Sequence, residues 1–177
     1  LDSVDELLDF PGLDGIVACA SWDEMPAVAT RLIDWDKPVL LEKPVALDAR
    51  AAQALVQNAG SRTDILVGYN RRFYEPVPAL RDRLIAERPI AVSARLSETV
   101  IRQKLRFGDA IIKNLLAFST AHSLDLLLHL LGPLNIASHS SYDHHGEAAP
   151  FRSHTAMLET EDDIPVLLDI AGEDPGP

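Results

Sequence analysis

Cysteine is almost absent: Cys19 is the single one in 177 residues. That excludes an intrachain disulfide and a cysteine zinc cluster, and its place in an apolar run reads as a small core residue. Positive charge is scarce as well. Sixteen Lys and Arg against 27 Asp and Glu give a formal net charge of −11. Phosphate binding needs clustered cations, so neither nucleic acid nor an anionic membrane is an expected partner. Cations concentrate only at Arg71-Arg72 and from Arg102 to Arg106, enough for one small anionic ligand. No apolar run is long enough to cross a bilayer. The start, Leu1-Asp2-Ser3-Val4-Asp5-Glu6, lacks both a basic signal region and an initiator methionine. It reads as a missing or processed beginning, with a cytoplasmic location as the default.

What is present is a globular composition, 47% apolar and 24% charged, at a length that suits one full domain or two small ones. A short acidic helix, Val4 to Phe10, precedes a strand from Asp14 to Ala20. A helix from Asp23 to Asp34 carries Val28, Leu32 and Ile33 at core spacing. Pro38 opens the strand Val39 to Glu42, and Asp48 is the expected N-cap of a helix from Ala49 to Asn58 that closes at Gly60. Ile65 to Asn70 is a third strand. Strands alternating with helices indicate a parallel sheet with right-handed crossovers. Beyond Arg72 the pattern changes. A helix from Val77 to Glu87 is followed by an alternating strand from Ile90 to Thr99, a basic loop from Ile101 to Asp109, and a long apolar helix from Lys113 to Leu131 stopped by Gly132-Pro133. Strands are expected at Asn135 to Tyr142, Ser153 to Glu159 and Val166 to Ala171. The acidic end, Gly172 to Pro177, reads as disordered. The fold class is α/β: a partial Rossmann-like parallel sheet over residues 1–73, then a partial α+β domain with an antiparallel or mixed sheet over residues 74–177.

Two places carry candidate chemistry. The strand Val39-Leu40-Leu41 ends in Glu42-Lys43-Pro44, and ligands of open α/β sheets gather at strand ends. A lysine there can act on a substrate, with Glu42 beside it; strands also end in charge simply because water begins there. On the apolar helix, His122, Asp125 and His129 share one face. They either border a cleft or form a His–Asp pair within the helix.

With these motifs, Gly68-Tyr69-Asn70-Arg71-Arg72-Phe73 and His122-Ser123-Leu124-Asp125 in view, the chain resembles the glucose-fructose oxidoreductase and inositol dehydrogenase (Gfo/Idh/MocA) family from about residue 1 to 171. The resemblance implies an oxidoreductase that moves hydride between NAD or NADP and a hydroxyl of a sugar, nucleotide sugar or cyclitol. It gives Lys43 contact with the nicotinamide ribose and the substrate, and makes Lys43-Pro44 a candidate cis bond. It places Ser21, Trp22, Glu42, Pro44, Asn70 and Arg72 at the cofactor. It makes His122 the acid/base residue, with Asp125 available to fix its tautomer. An imidazole titrates near neutral pH, and a lysine ammonium stabilises a developing alkoxide. A homo-oligomer formed through sheet surfaces or edges is the expected assembly.

The family's pattern is also departed from. Its Gly-x-Gly-x-x-Gly turn, whose amides hold the pyrophosphate, occurs nowhere in this sequence, and the acidic residue that binds the adenosine ribose is missing with it. Many members carry a carboxylate four residues before the helix histidine; here Phe118 stands there, followed by Ser119 and Thr120. A branch of the family associated with surface-sugar biosynthesis is similar in lacking that carboxylate. No metal site is expected from His139, His144, His145 and His154, whose spacing matches no ligand motif. The alternative reading is a non-catalytic truncated paralogue, an oligomerisation or interaction module whose uncovered sheet edge pairs with another chain.

Overall fold

The computed structural model describes residues 3–148 and 150–172. The chain divides into two compact units, Leu1–Gly68 and Tyr69–Pro177. In the first, α1 (Val4–Leu8), β1 (Ile16–Ala18), α2 (Met25–Leu32), β2 (Val39–Leu41), α3 (Ala49–Ala59) and β3 (Ile65–Val67) alternate. The three strands form a parallel sheet in the order β1-β2-β3, with Ala18, Leu41 and Val67 in register at their carboxyl ends. Capping sets the helix starts. The Ser3 side chain accepts from the Glu6 amide at 3.1 Å, and the Asp48 carboxylate accepts from the Ala51 amide at 2.8 Å, each satisfying an amide that a first turn leaves orphaned. Gly60 closes α3 at φ 58°, where a side chain would be strained.

One face of this sheet is packed: Ile16, Ala18, Val39 and Leu41 form a core with Met25, Ala29 and Leu32 of α2. The other face departs from expectation. Parallel strands are usually covered on both sides, yet Val17, Leu40 and Leu66, in register with one another, are 70%, 40% and 60% exposed. Cys19 also lies outside β1 and is exposed rather than in the core. The apolar runs are real, but each strand is three residues long and only its alternate side chains meet a helix.

The second unit begins with a 3₁₀ turn, Asn70–Phe73, and α4 (Pro76–Glu87). Then come β4 (Val92–Glu98), α5 (Val100–Phe107), a 3₁₀ turn (Asp109–Asn114), a π turn (Leu116–Thr120), α6 (Ala121–Leu131), β5 (Leu134–Asp143), β6 (Arg152–Thr160) and β7 (Pro165–Gly172). The sheet order is β4-β7-β6-β5, parallel between β4 and β7 and antiparallel elsewhere, so it is mixed. Its core joins Ala156, Leu158, Val166, Leu168 and Ile170 to Leu124, Leu127 and Leu131 of α6.

Two expectations are corrected here. The basic loop is a helix, α5, ended by Gly108 at φ 83°. Its less exposed positions are Val100, Ile101, Gln103, Lys104 and Phe107, and the two polar ones at the middle of that face conceal the helical period. The long helix from Lys113 is three pieces, a 3₁₀ turn, a π turn and α6, and of α6 only Asp125 is buried, the other positions being half-buried or exposed. Residues 173–177 of the end read as disordered lie outside the described residues; Gly172 closes β7.

Candidate functional site

The carboxyl ends of the parallel strands bring the first-unit candidates to one edge. Ser21 and Trp22 follow β1, Glu42-Lys43-Pro44 follows β2, and the Glu42 amide donates to the Ala18 carbonyl at 2.9 Å. Lys43-Pro44 is cis, as the resemblance implied, and Pro44 is fully buried while Glu42 and Lys43 are half-buried. After β3 the Gly68 amide donates to the Leu41 carbonyl at 2.8 Å. A Cβ at Gly68 would stand 3.0 Å from Glu42 Oε2, so the absence of a side chain there lets the Glu42 carboxylate lie against the strand end.

The start of α2 is acidic. Ser21 Oγ lies 2.7 Å from both Asp23 Oδ1 and Glu24 Oε2, and its one proton serves one of them at a time. The Ser21 carbonyl accepts from the Glu24 and Met25 amides at 3.1 and 2.8 Å. The serine hydroxyl, and after it nearby backbone amides, hold the Asp23 carboxyl below its ordinary range. Two carboxylates at this helix start disfavour a pyrophosphate. A nicotinamide cofactor is thus fitted only in part. Ser21, Trp22, Glu42 and Lys43 are of types that can border the nicotinamide and its ribose, whereas no glycine-rich pyrophosphate cradle exists in the sequence.

In the second unit the residues after β3 are laced to the first turns of α6, pair by pair. The Tyr69 ring meets the His122 ring edge to face, with centroids 5.9 Å apart. Arg71 Nη1 donates to Ser123 Oγ at 2.5 Å. Arg72 Nε donates to Asp125 Oδ2 at 2.7 Å, and its Nη2 to Oδ1, a bidentate pair on a carboxylate that is 9% exposed. That bond raises the Arg72 guanidinium above its ordinary value. Burial, then the Asp125 charge, raises the Tyr69 phenol. Both oxygens of Asp125, the residue expected to orient the imidazole, accept from Arg72, so the pair within the helix is not its main engagement. His122 is half-buried, its Nδ1 withdrawn from solvent. His129, on the same helical face, has its carbonyl capped by Arg81 Nε at 3.2 Å. Asn70 opens the 3₁₀ turn.

Other residues at this site were not singled out by sequence. Thr120, 1% exposed, donates its hydroxyl to Glu98 Oε1, a carboxylate that is itself 4% exposed. This bond joins the end of β4 to the π turn just before His122, and π turns recur at functional sites. The available signal was Glu98 at an inward position of an alternating strand, after Val92, Ala94 and Leu96. Phe118, in place of the family's carboxylate, packs edge to face on Phe107 with centroids 5.1 Å apart. Among the described residues no group of three or more His, Cys, Asp or Glu is placed to hold a metal.

The class these observations define is α/β, a Rossmann-type parallel sheet with polar residues gathered at its strand ends, followed by a mixed sheet behind a histidine-bearing helix. Residues 1–69 match the model of the Gfo/Idh/MocA oxidoreductase family, described as having an NAD-binding Rossmann fold. No curated protein matches the sequence. Solved structures share the fold. A myo-inositol dehydrogenase from Corynebacterium glutamicum is 19% identical with a TM-score of 0.71, over 97% of this chain and 53% of that one. The WlbA dehydrogenase from Chromobacterium violaceum, in complex with NADH and UDP-GlcNAcA, is 15% identical with a TM-score of 0.75, over 96% and 52%. GenD2 from gentamicin A biosynthesis, in complex with NAD, is 20% identical with a TM-score of 0.70, over 100% and 53%. The chain therefore spans about half the length of the structures it matches. Residues 1–69 are thus similar to the Gfo/Idh/MocA oxidoreductases, and the chain as a whole shares the fold of these dehydrogenases.

Proposed function

We propose that this chain carries the hydride-transfer residues of an NAD(P)-dependent oxidoreductase acting on a hydroxyl of a sugar, nucleotide sugar or cyclitol. The observation that carries the reading is the matched N-terminal unit, whose strand ends gather Ser21, Trp22 and Glu42-cis-Lys43-Pro44 on one edge. The nicotinamide, when bound, accepts or returns the hydride. Lys43 donates to the substrate hydroxyl and stabilises charge as the alkoxide develops, with Glu42 beside it. His122 takes the hydroxyl proton in oxidation and returns it in reduction. Asp125 and Arg72 fix the start of α6 and so the place of that imidazole. Phe118 cannot take a proton, and the usual carboxylate step has no equivalent at that position.

The test is reduction of NAD or NADP by the chain with a panel of cyclitols, sugars and nucleotide sugars. Turnover on one class, falling at least about 100-fold in Lys43→Ala and His122→Asn with cofactor affinity in His122→Asn little changed, is the expected result; general acid–base groups typically contribute about 10²–10⁴-fold. Turnover unaffected by both substitutions, or none on any class, overturns it. A second reading, an interaction module, is favoured by one observation: the in-register strip Val17–Leu40–Leu66, open to solvent. Nicotinamide binding and self-association separate the two readings.

A further inference from the structure

A cavity lies on the far side of α6 from His122. By spacing, Leu124, Leu127 and Leu128 occupy the helical face opposite His122, Asp125 and His129. With Leu134, Leu158 and Leu168 of the sheet they line a space of about 310 Å³. Its whole lining is leucine, isoleucine and alanine apart from His139 and His154. These two imidazoles, on adjacent antiparallel strands, stack at 19° with centroids 5.3 Å apart, and His139 Nε2 lies 3.0 Å from His154 Nδ1. His154 and Leu116 belong also to a second hollow of about 410 Å³, where Ile112 and Phe151 stand with two cations, Lys113 and Arg152. An apolar chamber and a cationic one thus share a wall, and an imidazole is part of it.

We propose that these two chambers bind a free medium-chain carboxylate, its tail in the leucine-lined chamber and its carboxylate at His154, with Lys113 and Arg152 behind. The sizes suit this. Ligand pockets of about 300–1,000 Å³, mostly apolar with a few convergent polar groups, are the usual form of a small-molecule site. Burying an alkyl chain is favourable by about 0.8 kcal/mol per methylene. With His139 Nε2 and His154 Nδ1 facing each other, each imidazole has one ring nitrogen left for a ligand, and a carboxylate accepts from it in a charge-assisted bond stronger than an alcohol makes. Asp143 pairs with Arg152 Nε at 2.7 Å and partly offsets its charge, which leaves Lys113 the larger electrostatic share.

The groups facing His154 are His139 from β5, Arg152 from its own strand and Lys113 from the 3₁₀ turn; α6 and β7 contribute only apolar side chains to the cavity. Burial first, then His139 and Arg152, holds the His154 imidazole below its ordinary value, so without ligand it is neutral near pH 7. A bound carboxylate supplies the missing counter-charge. Binding therefore takes up a proton and tightens as pH falls. The site stands apart from the nicotinamide reading, and its test needs neither cofactor nor turnover.

The experiment is calorimetric titration of the whole chain with octanoate and with octanol, at pH 8 and pH 6. The expected result is saturable octanoate binding, about tenfold tighter at pH 6, with octanol at least about tenfold weaker. Ile136→Trp, which crowds the exposed rim of the apolar chamber, and Lys113→Glu, on the exposed side of the cationic one, should each weaken octanoate about tenfold or more while circular dichroism stays unchanged. No saturable octanoate binding at either pH overturns the proposal. Octanol binding as tightly as octanoate overturns it too, as does octanoate affinity indifferent to pH or to both substitutions.

Discussion

At Asp125 two oxygens accept from one guanidinium, and that pair ties the turn after β3 to the helix bearing His122. Removing its charge leaves Arg72, itself 41% exposed, to water, so solvent offsets part of the loss. Asp125→Asn is expected to lower unfolding stability by about 1–2 kcal/mol by urea titration, and a double-mutant cycle with Arg72→Gln should show coupling. At His154 the sign of the pH effect follows from a depressed imidazole. The unfolded chain takes up a proton at the ordinary value, about 6.5, but the folded chain only at lower pH. Its contribution to stability is complete above that value and is lost as pH falls through it. His154→Gln should therefore flatten the decline in urea midpoint between pH 7.5 and 5.5; an unchanged slope contradicts this. Candidates were legible in the sequence where a motif carried them, as at Lys43 and His122. Glu98 was not, because one acidic letter at the end of a strand does not reveal that it points inward.

Between elements, the π turn Leu116–Thr120 and the bond from Thr120 to Glu98 fix where α6 begins. Thr120→Val keeps the shape but leaves a buried carboxylate oxygen without that donor, at a cost of about 1–3 kcal/mol, whereas Thr120→Ser should recover most of it; thermal unfolding of the two variants decides this. β7 ends where Gly172 passes the buried Phe151, whose ring atoms would lie 2.7 and 2.8 Å from an added Cβ. Gly172→Ala should destabilise by about 1–3 kcal/mol, measured in the same way. The strands and the capped helix α3 were readable because period and cap chemistry are local. The break of the long helix and the helical state of α5 were not. The first depends on a side-chain bond to a strand more than twenty residues away, and the second on an inward face interrupted by Gln103 and Lys104.

For the whole molecule, the alternation of strands and helices pointed to the α/β class that the fold shows. What composition could not foretell is that one face of the parallel sheet stays open, since burial on a second side depends on what packs there. The strip Val17–Leu40–Leu66 is a candidate self-association surface. Analytical ultracentrifugation should find wild type associating with rising concentration and Leu40→Lys shifted to monomer; a wild type that stays monomeric contradicts that role. Residues after β1, β2 and β3 and the face of α6 bearing His122 are the parts on which the oxidoreductase reading depends. Its most direct test is calorimetric titration of the chain with NADH and then NADPH. The account predicts saturable binding of one of them, weakened about tenfold in Lys43→Ala. No detectable binding at concentrations that saturate ordinary dehydrogenases would contradict it and leave the chain an interaction module.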